Sequence, residues 1–377
     1  MLEYLKWRGD LSWSASPLNE LDALVFSQLS YLHFCDALGE QGAPLRAAWR
    51  LVEALPPEPG NAQAVADRHR LLRAAGESAR FGGLTINHCV DVFDAEREMQ
   101  FAAVTYDLPD GTRVIGYRGT DATVIGWRED FNMSFACPVP SQTEAVRYLE
   151  RVAARTVGRL RLCGHSKGGN LALYAAACCT PKLRARIGEI FLFDAPGFDQ
   201  ATLQAEGYRE VLPRVRSYVP QTSVIGRLMG VPEPYTVVHS TATGLGQHNV
   251  FSWALDGPHF ETLPALDNAS RLLKATMDDF LSDSTPEMRK LLVETVFAVL
   301  GAGNAHTLGE LAERWTDTAT AMWTALRGLD PATRRATLAV LGTLAASGMD
   351  SAKRFLSENK EDASAAEPSP ALPPAQG

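Results

Sequence analysis

Arg159-Leu160-Arg161-Leu162-Cys163-Gly164-His165-Ser166-Lys167-Gly168-Gly169-Asn170-Leu171-Ala172-Leu173-Tyr174-Ala175-Ala176-Ala177 is the stretch whose reading decides the fold. Its first five residues alternate apolar and polar, as a half-buried strand does, and its last eight form an alanine-rich helical run. Between them stands Gly-x-Ser-x-Gly. A serine at the apex of a sharp strand-to-helix turn is a nucleophile elbow, and such a turn closes only if the residues two positions either side are small. Gly164 and Gly168 meet that requirement, so Ser166 is the candidate nucleophile.

Outward from the elbow the chain alternates strands and helices. Upstream, 101–106 and 112–117 read as two strands joined by Leu108-Pro109-Asp110-Gly111, whose Asp-Gly favours a tight hairpin. Ser141-Gln142-Thr143-Glu144 has the form of a capping box and predicts a helix over 141–157. Downstream, 189–193, 215–219 and 235–239 read as buried strands, with a helix after Asp199. This order predicts an α/β fold: a largely parallel sheet flanked by helices, with reactive loops at the carboxyl ends of the strands. Before this core, Asn19 caps a packing helix, and further helical stretches cover 45–55 and 64–75. After residue 260 the strand signal stops. Ser284-Thr285-Pro286-Glu287, Thr307-Leu308-Gly309-Glu310 and Asp330-Pro331 are successive helix starts, so 1–260 is expected to be the α/β domain and 261–358 a helical module. The Pro-, Ala-, Ser- and Glu-rich segment 359–377 lacks the apolar surface to fold.

A chain of 377 residues, 46% hydrophobic, can bury a large core. Its net charge of −8, with no basic stripe, argues against nucleic acid as a partner. The N-terminal decapeptide has scattered charges and is neither a signal peptide nor a membrane span, which points to the cytoplasm. Peripheral membrane contact stays compatible with this reading, and the partner of the helical module is unspecified. The six cysteines lack zinc spacing; Cys178-Cys179 reads as helix filler, and neither metal nor organic cofactor is expected.

A serine needs a base in reach, and the base needs orienting. In α/β-hydrolases the order is serine, acid, histidine, with the histidine on a loop after the last core strands. That restricts the choice to His239, His248 and His259; His239 falls inside a strand, whereas His248 occupies the glycine-bearing loop Gly244-Leu245-Gly246-Gln247-His248-Asn249 and is the better placed. His165 reads as a side chain tolerated beside the turn. The oxyanion donors are expected to be the Lys167 N–H, next after the nucleophile, and Thr120 in Gly116-Tyr117-Arg118-Gly119-Thr120-Asp121. Arg118 could pair with Asp130 to hold that loop.

Tyr117-Arg118-Gly119-Thr120-Asp121, Gly126-Trp127-Arg128-Glu129-Asp130, Gly164-His165-Ser166-Lys167-Gly168-Gly169 and Phe193-Asp194-Ala195-Pro196-Gly197 together resemble, in order, the landmarks of the fungal-type (class 3) lipases. The N-terminal Tyr4-Leu5-Lys6-Trp7-Arg8-Gly9-Asp10 and Asn19-Glu20-Leu21-Asp22-Ala23-Leu24, with Pro220-Gln221-Thr222-Ser223 and Gln247-His248, are similar to a bacterial branch of that superfamily. The resemblance covers roughly 1–260 and implies an α/β-hydrolase fold with Ser166 as nucleophile, Thr120 and Lys167 as oxyanion donors, and His248 as base.

The acid departs from the lipase pattern. Where those enzymes place it, this chain runs Pro220-Gln221-Thr222-Ser223-Val224 with no carboxylate. Asp194, after the strand next to the elbow strand, is the nearest geometric substitute, because adjacent strand ends sit about 5 Å apart. Asp199, Asp256, or a Ser-His dyad oriented by Ser223 or a backbone carbonyl are the alternatives. The expected function is cleavage of a carboxylic ester, lipid or small molecule, by Ser166, His248 and Asp194. The missing acid motivates a rival: a catalytically weak hydrolase fold that binds or regulates through its helical part. Acyl transfer or thioester and amide cleavage by the same residues is a third reading. The apolar run 224–231 reads as an acyl-pocket wall, a cover over the site, or a packing helix.

Overall fold

The computed structural model describes residues 1–270 apart from 39–41, 57–61, 121–128, 130–132, 134–136, 224, 228, 231–233 and 268–269, and, beyond 270, residues 285, 331, 334 and 335. The helical module expected over 261–358 and the tail over 359–377 lie almost wholly outside the described residues.

A nine-stranded sheet organises the chain. Its strands are β1 (Ala43–Pro44), β2 (Thr85–Asp94), β3 (Met99–Asp107), β4 (Arg113–Tyr117), β5 (Leu160–His165), β6 (Ile187–Phe193), β7 (Val215–Pro220), β8 (Thr236–Val238) and β11 (Thr262–Leu263), side by side in that order. Between the last two, β9 (Leu255–Asp256) and β10 (His259–Phe260) form a separate hairpin. Strands β4 to β8 are parallel. β1 to β4 form an antiparallel meander, and β11 closes the far edge antiparallel to β8. The Asp-Gly hairpin forms as read: Gly111 has φ +81° and its N–H donates to Leu108 O.

Helices cover both faces. On one lie α1 (Leu2–Arg8), α2 (Glu20–Leu29), α3 (Phe34–Ala37), α4 (Leu45–Glu53) and α5 (Ala62–Glu77). They seal a core that includes Phe26, Phe81, Tyr106, Phe193 and Trp253. The crossovers α6 (Pro140–Ala154), α7 (Lys167–Cys178), α8 (Pro181–Arg184), α9 (Gln200–Gln204) and α10 (Glu206–Val211) serve the parallel strands, and the second core includes Ile115, Leu162, Leu171, Ile190 and Tyr208.

Four expectations need correction. The sheet begins well before Phe101, because residues 85–94 form β2; His88, at φ +49°, sits where the β2–β3 register shifts and breaks the alternation that would reveal the strand. The helix over 140–154 starts at Pro140, not at a Ser141 box: Val139 is the cap residue, and the Gln142 side chain reaches back to its N–H at 3.0 Å. The sheet unit runs past 260. β11 pairs with β8, the Asp267 N–H donates to Gln221 O, and Ser270 Oγ donates to Ser223 O at 2.6 Å. Within the apolar run 224–231, Ile225–Arg227 is a buried single 3₁₀ turn rather than a helix.

Candidate active site

Ser166 stands between β5 and α7 at φ +58°, ψ −134°, a conformation that costs a non-glycine residue about 1–3 kcal/mol. Its backbone is held on both sides, with its N–H on Phe193 O at 2.9 Å and its C=O receiving the Gly169 N–H at 3.0 Å. The small neighbours are obligatory. A Cβ on Gly164 would lie 2.1 Å from the Gly168 carbonyl carbon, and one on Gly168 would lie 2.1 Å from Tyr117 O. The elbow is thereby pressed directly onto the chain leaving β4.

Sheet register delivers the carboxylate. His165 is level with Phe193 and Phe193 with Tyr218, so Ser166 and Asp194 follow the ends of adjacent strands. Asp194 is 1% exposed, at φ +45°, with its own N–H on Tyr218 O at 2.8 Å. One carboxylate oxygen, Oδ2, lies 2.6 Å from His248 Nδ1. The other accepts Ser223 Oγ at 2.5 Å and the Gly226 N–H at 3.1 Å. Gly226 must lack a side chain here, because a Cβ would sit 2.3 Å from Asp194 Oδ1. The carboxylate bond fixes the tautomer and plane of the imidazole and directs Nε2 away from Asp194. Ser166 Oγ and His248 Nε2 are not hydrogen-bonded to each other in this structure; such bonds commonly tighten only when substrate is seated.

The loop that carries His248 is fixed to the turn after β7. Gln247 accepts the Thr222 N–H at 2.8 Å and donates to Thr222 Oγ1 at 3.0 Å, while Trp253 Nε1 donates to Gln247 O at 2.8 Å. Gln221, at the place where a carboxylate was sought, exchanges two bonds with the Ser240 backbone. It is a strut for the neighbouring loop.

His165 does more than fill space beside the turn. It is 5% exposed and its ring centroid lies 4.4 Å from that of His248. Its Nε2 lies 2.9 Å from His248 O, which can only accept, so Nε2 carries a proton; Nδ1 lies 3.0 Å from Tyr31 Oη, the donor to it when the ring is neutral. Burial, reinforced by His248 and Arg68, pushes this imidazole well below the ordinary histidine range. A neutral ring therefore holds the backbone of His248. Sequence reasoning missed this because the partners lie 134 and 83 residues away.

Thr120 ends the segment that leaves β4. Asp130, the expected partner of Arg118, lies outside the described residues; Arg118 forms a bidentate pair with Asp91 on β2 at 2.6 and 2.8 Å. The Lys167 N–H opens α7, where helix N–H groups have no intrahelical acceptor and face the N-terminus. Its side chain has a separate part. Nζ lies 2.5 Å from Glu129 Oε2 and 2.9 Å from Gln100 O, with both charged side chains 1% exposed. Glu129 also accepts the Gln100 and Ser141 N–H groups, each at 3.1 Å. The elbow is thus tied to Glu129 and to the start of β3.

The rival residues are engaged elsewhere. His239 pairs with Glu261 at 3.1 Å and His259 with Glu20 at 2.6 Å. Asp199 caps α9 by accepting the Thr202 N–H, and Asp256 is exposed on the β9–β10 hairpin. Among the described residues no cluster of three potential metal ligands occurs, and no helix is long and apolar enough to cross a membrane.

Residues 75–298 match the family described as Mbeg1-like. Among solved structures the chain is similar to M37 lipase, with 15% identity over 57% of this chain and 71% of that one and a TM-score of 0.37. It is also similar to a mutant form of MDLA from Penicillium cyclopium, with 13% identity over 70% and 92% of the two chains and a TM-score of 0.38. No curated protein matches.

Proposed function

The chain belongs to the Mbeg1-like family, and from that premise and the geometry around Ser166 we propose that it is a serine hydrolase cleaving a carboxylic ester. The observation that carries this reading is the 2.6 Å contact between Asp194 and His248, made by a buried aspartate whose second oxygen is independently held. In the mechanism, His248 Nε2 takes the Ser166 hydroxyl proton as Oγ attacks the ester carbonyl. The Lys167 N–H and Thr120 stabilise the tetrahedral oxyanion, and the proton passes to the leaving alcohol. Water then enters by the same route in reverse and releases the acid. Asp194 keeps its charge throughout and favours the imidazolium that forms on His248. Six unbridged cysteines support a reducing, cytoplasmic setting.

A fluorophosphonate probe tests the reading. Wild type is expected to label, while Ser166→Ala and His248→Ala are not; nitrophenyl esters of increasing chain length then define acyl preference. Folded wild-type protein that refuses the probe would remove the enzymatic reading in favour of a binding one.

A further inference from the structure

The 3₁₀ turn that holds Asp194 carries, one residue after the Gly226 N–H, a side chain that the proposed reaction does not use. Arg227 is 4% exposed. Its guanidinium carbon lies 4.5 Å from the centre of the Tyr235 ring, and Tyr235 packs against Val219, Val237 and Leu266 beside β7 and β8. The guanidinium carries its N–H donors on three nitrogens. Two of those nitrogens, Nε and Nη1, are buried with no hydrogen-bond partner among the described residues.

Among the described residues the other buried cations have carboxylate partners. Arg80 meets Asp22, Lys167 meets Glu129, and Arg184 meets Glu210 and two carbonyls. Burying a charge without hydrogen bonds is costly, and a fixed guanidinium with open in-plane donors is suited to a carboxylate or phosphate. Gly226 donates to Asp194 at 3.1 Å, so Arg227 is the residue next in the chain to one that holds this carboxylate.

We infer that Arg227 is a specificity residue: the substrate is an ester carrying a carboxylate or phosphate, and that anion is received by the Arg227 guanidinium. This rests on the hydrolase reading above. An anion on the acyl side and one on the alcohol side share this chemistry, so the test has an arm for each.

The experiment measures kcat/KM for two matched pairs of esters. The acyl arm compares 4-nitrophenyl hemisuccinate with its neutral isostere, the 4-methylpentanoate. The alcohol arm compares 3-carboxyphenyl butyrate with 3-isopropylphenyl butyrate. Wild type is expected to prefer the anionic member of at least one pair by about tenfold or more, as one buried charge-assisted contact supplies. Arg227→Met is expected to lose that preference, the ratio of kcat/KM within the pair falling to about one whatever the absolute rates, and Arg227→Lys to keep only part of it. Equal rates within both pairs for wild type would overturn the inference without any variant being needed. A preference that survives in Arg227→Met, or a lowered melting temperature with an unchanged ratio, would assign Arg227 to the fold and overturn it too. In those cases turnover of the neutral esters leaves the hydrolase reading standing; wild type inert toward all four esters and the fluorophosphonate probe removes both.

Discussion

Asp22 and Asp194 are the same residue in nearly the same state, and they belong to different kinds of structure. Both are buried, at 0% and 1% exposure, and each has both oxygens engaged. Asp22 receives Arg80 Nε at 2.8 Å and Nη2 at 2.6 Å, with Tyr4 Oη and the Asn19 N–H completing its shell. Arg80 is itself 1% exposed and covered by Trp13 at 3.9 Å. Every partner there has a fixed charge or none, so the cluster can only hold α2 against the end of α5. Asp194 instead faces a histidine, a partner whose charge can change, and His248 is 20% exposed. On the proposed reading, what separates a strut from a reactive centre is whether the partner is a histidine with an open far side.

Substituting the two aspartates tests that contrast at its widest. Asp194→Asn should lower kcat by about 10⁴ while leaving the melting temperature near wild type. Asp22→Asn should do the reverse, costing about 3–5 kcal/mol in urea unfolding because Arg80 is left buried and unpaired, with the folded fraction fully active. A variant at 194 that melts as badly as the one at 22 would erase the distinction.

Glu129→Gln lies between the two. The Lys167 ammonium would lose its counter-charge, so a stability loss of about 3 kcal/mol is expected. A fall in kcat of up to about 10² should accompany it, with KM little changed, because the two proposed oxyanion donors, Thr120 and the Lys167 N–H, would drift apart. Ser223→Ala removes one of the two bonds to Asp194 Oδ1 and should cost about 1 kcal/mol of stability and tenfold in kcat. The smallest effect is one of pH. The unfolded chain protonates the His165 imidazole near pH 6.5 and the folded protein does not, so stability is whole above that pH and falls as the pH drops through it. The slope is at most about 1.4 kcal/mol per pH unit for this group. His88, lowered by burial, Arg113 and Arg155, adds a slope of the same sign. His165→Gln should flatten part of the slope in melts between pH 7 and 5.

The elbow, the Asp-Gly hairpin and the parallel strands are legible in the sequence because each rests on local chemistry: a glycine at a close approach, a turn dipeptide, an apolar run. β2 is not, since His88 interrupts its alternation and only pairing with β3 reveals it. The choice of Asp194 over Asp199 and Asp256 could be framed but not closed from residues alone. It depends on lateral register between strands, and on Asp199 being used by its own helix. Lys167–Glu129, Tyr31–His165 and Arg80–Asp22 join residues 38, 134 and 58 positions apart, and no spacing rule reaches that far.

The strand order has a kinetic consequence. Every strand from β1 to β8 lies beside its predecessor in the chain, so the sheet can grow in the direction in which the polypeptide emerges. Ser166, Asp194 and His248 follow in that same direction, and the His248 loop rests on the turn after β7, which pairs with β8. Reactivity toward an active-site probe is therefore a clock for completion: during refolding, sheet ellipticity should return first and probe labelling last.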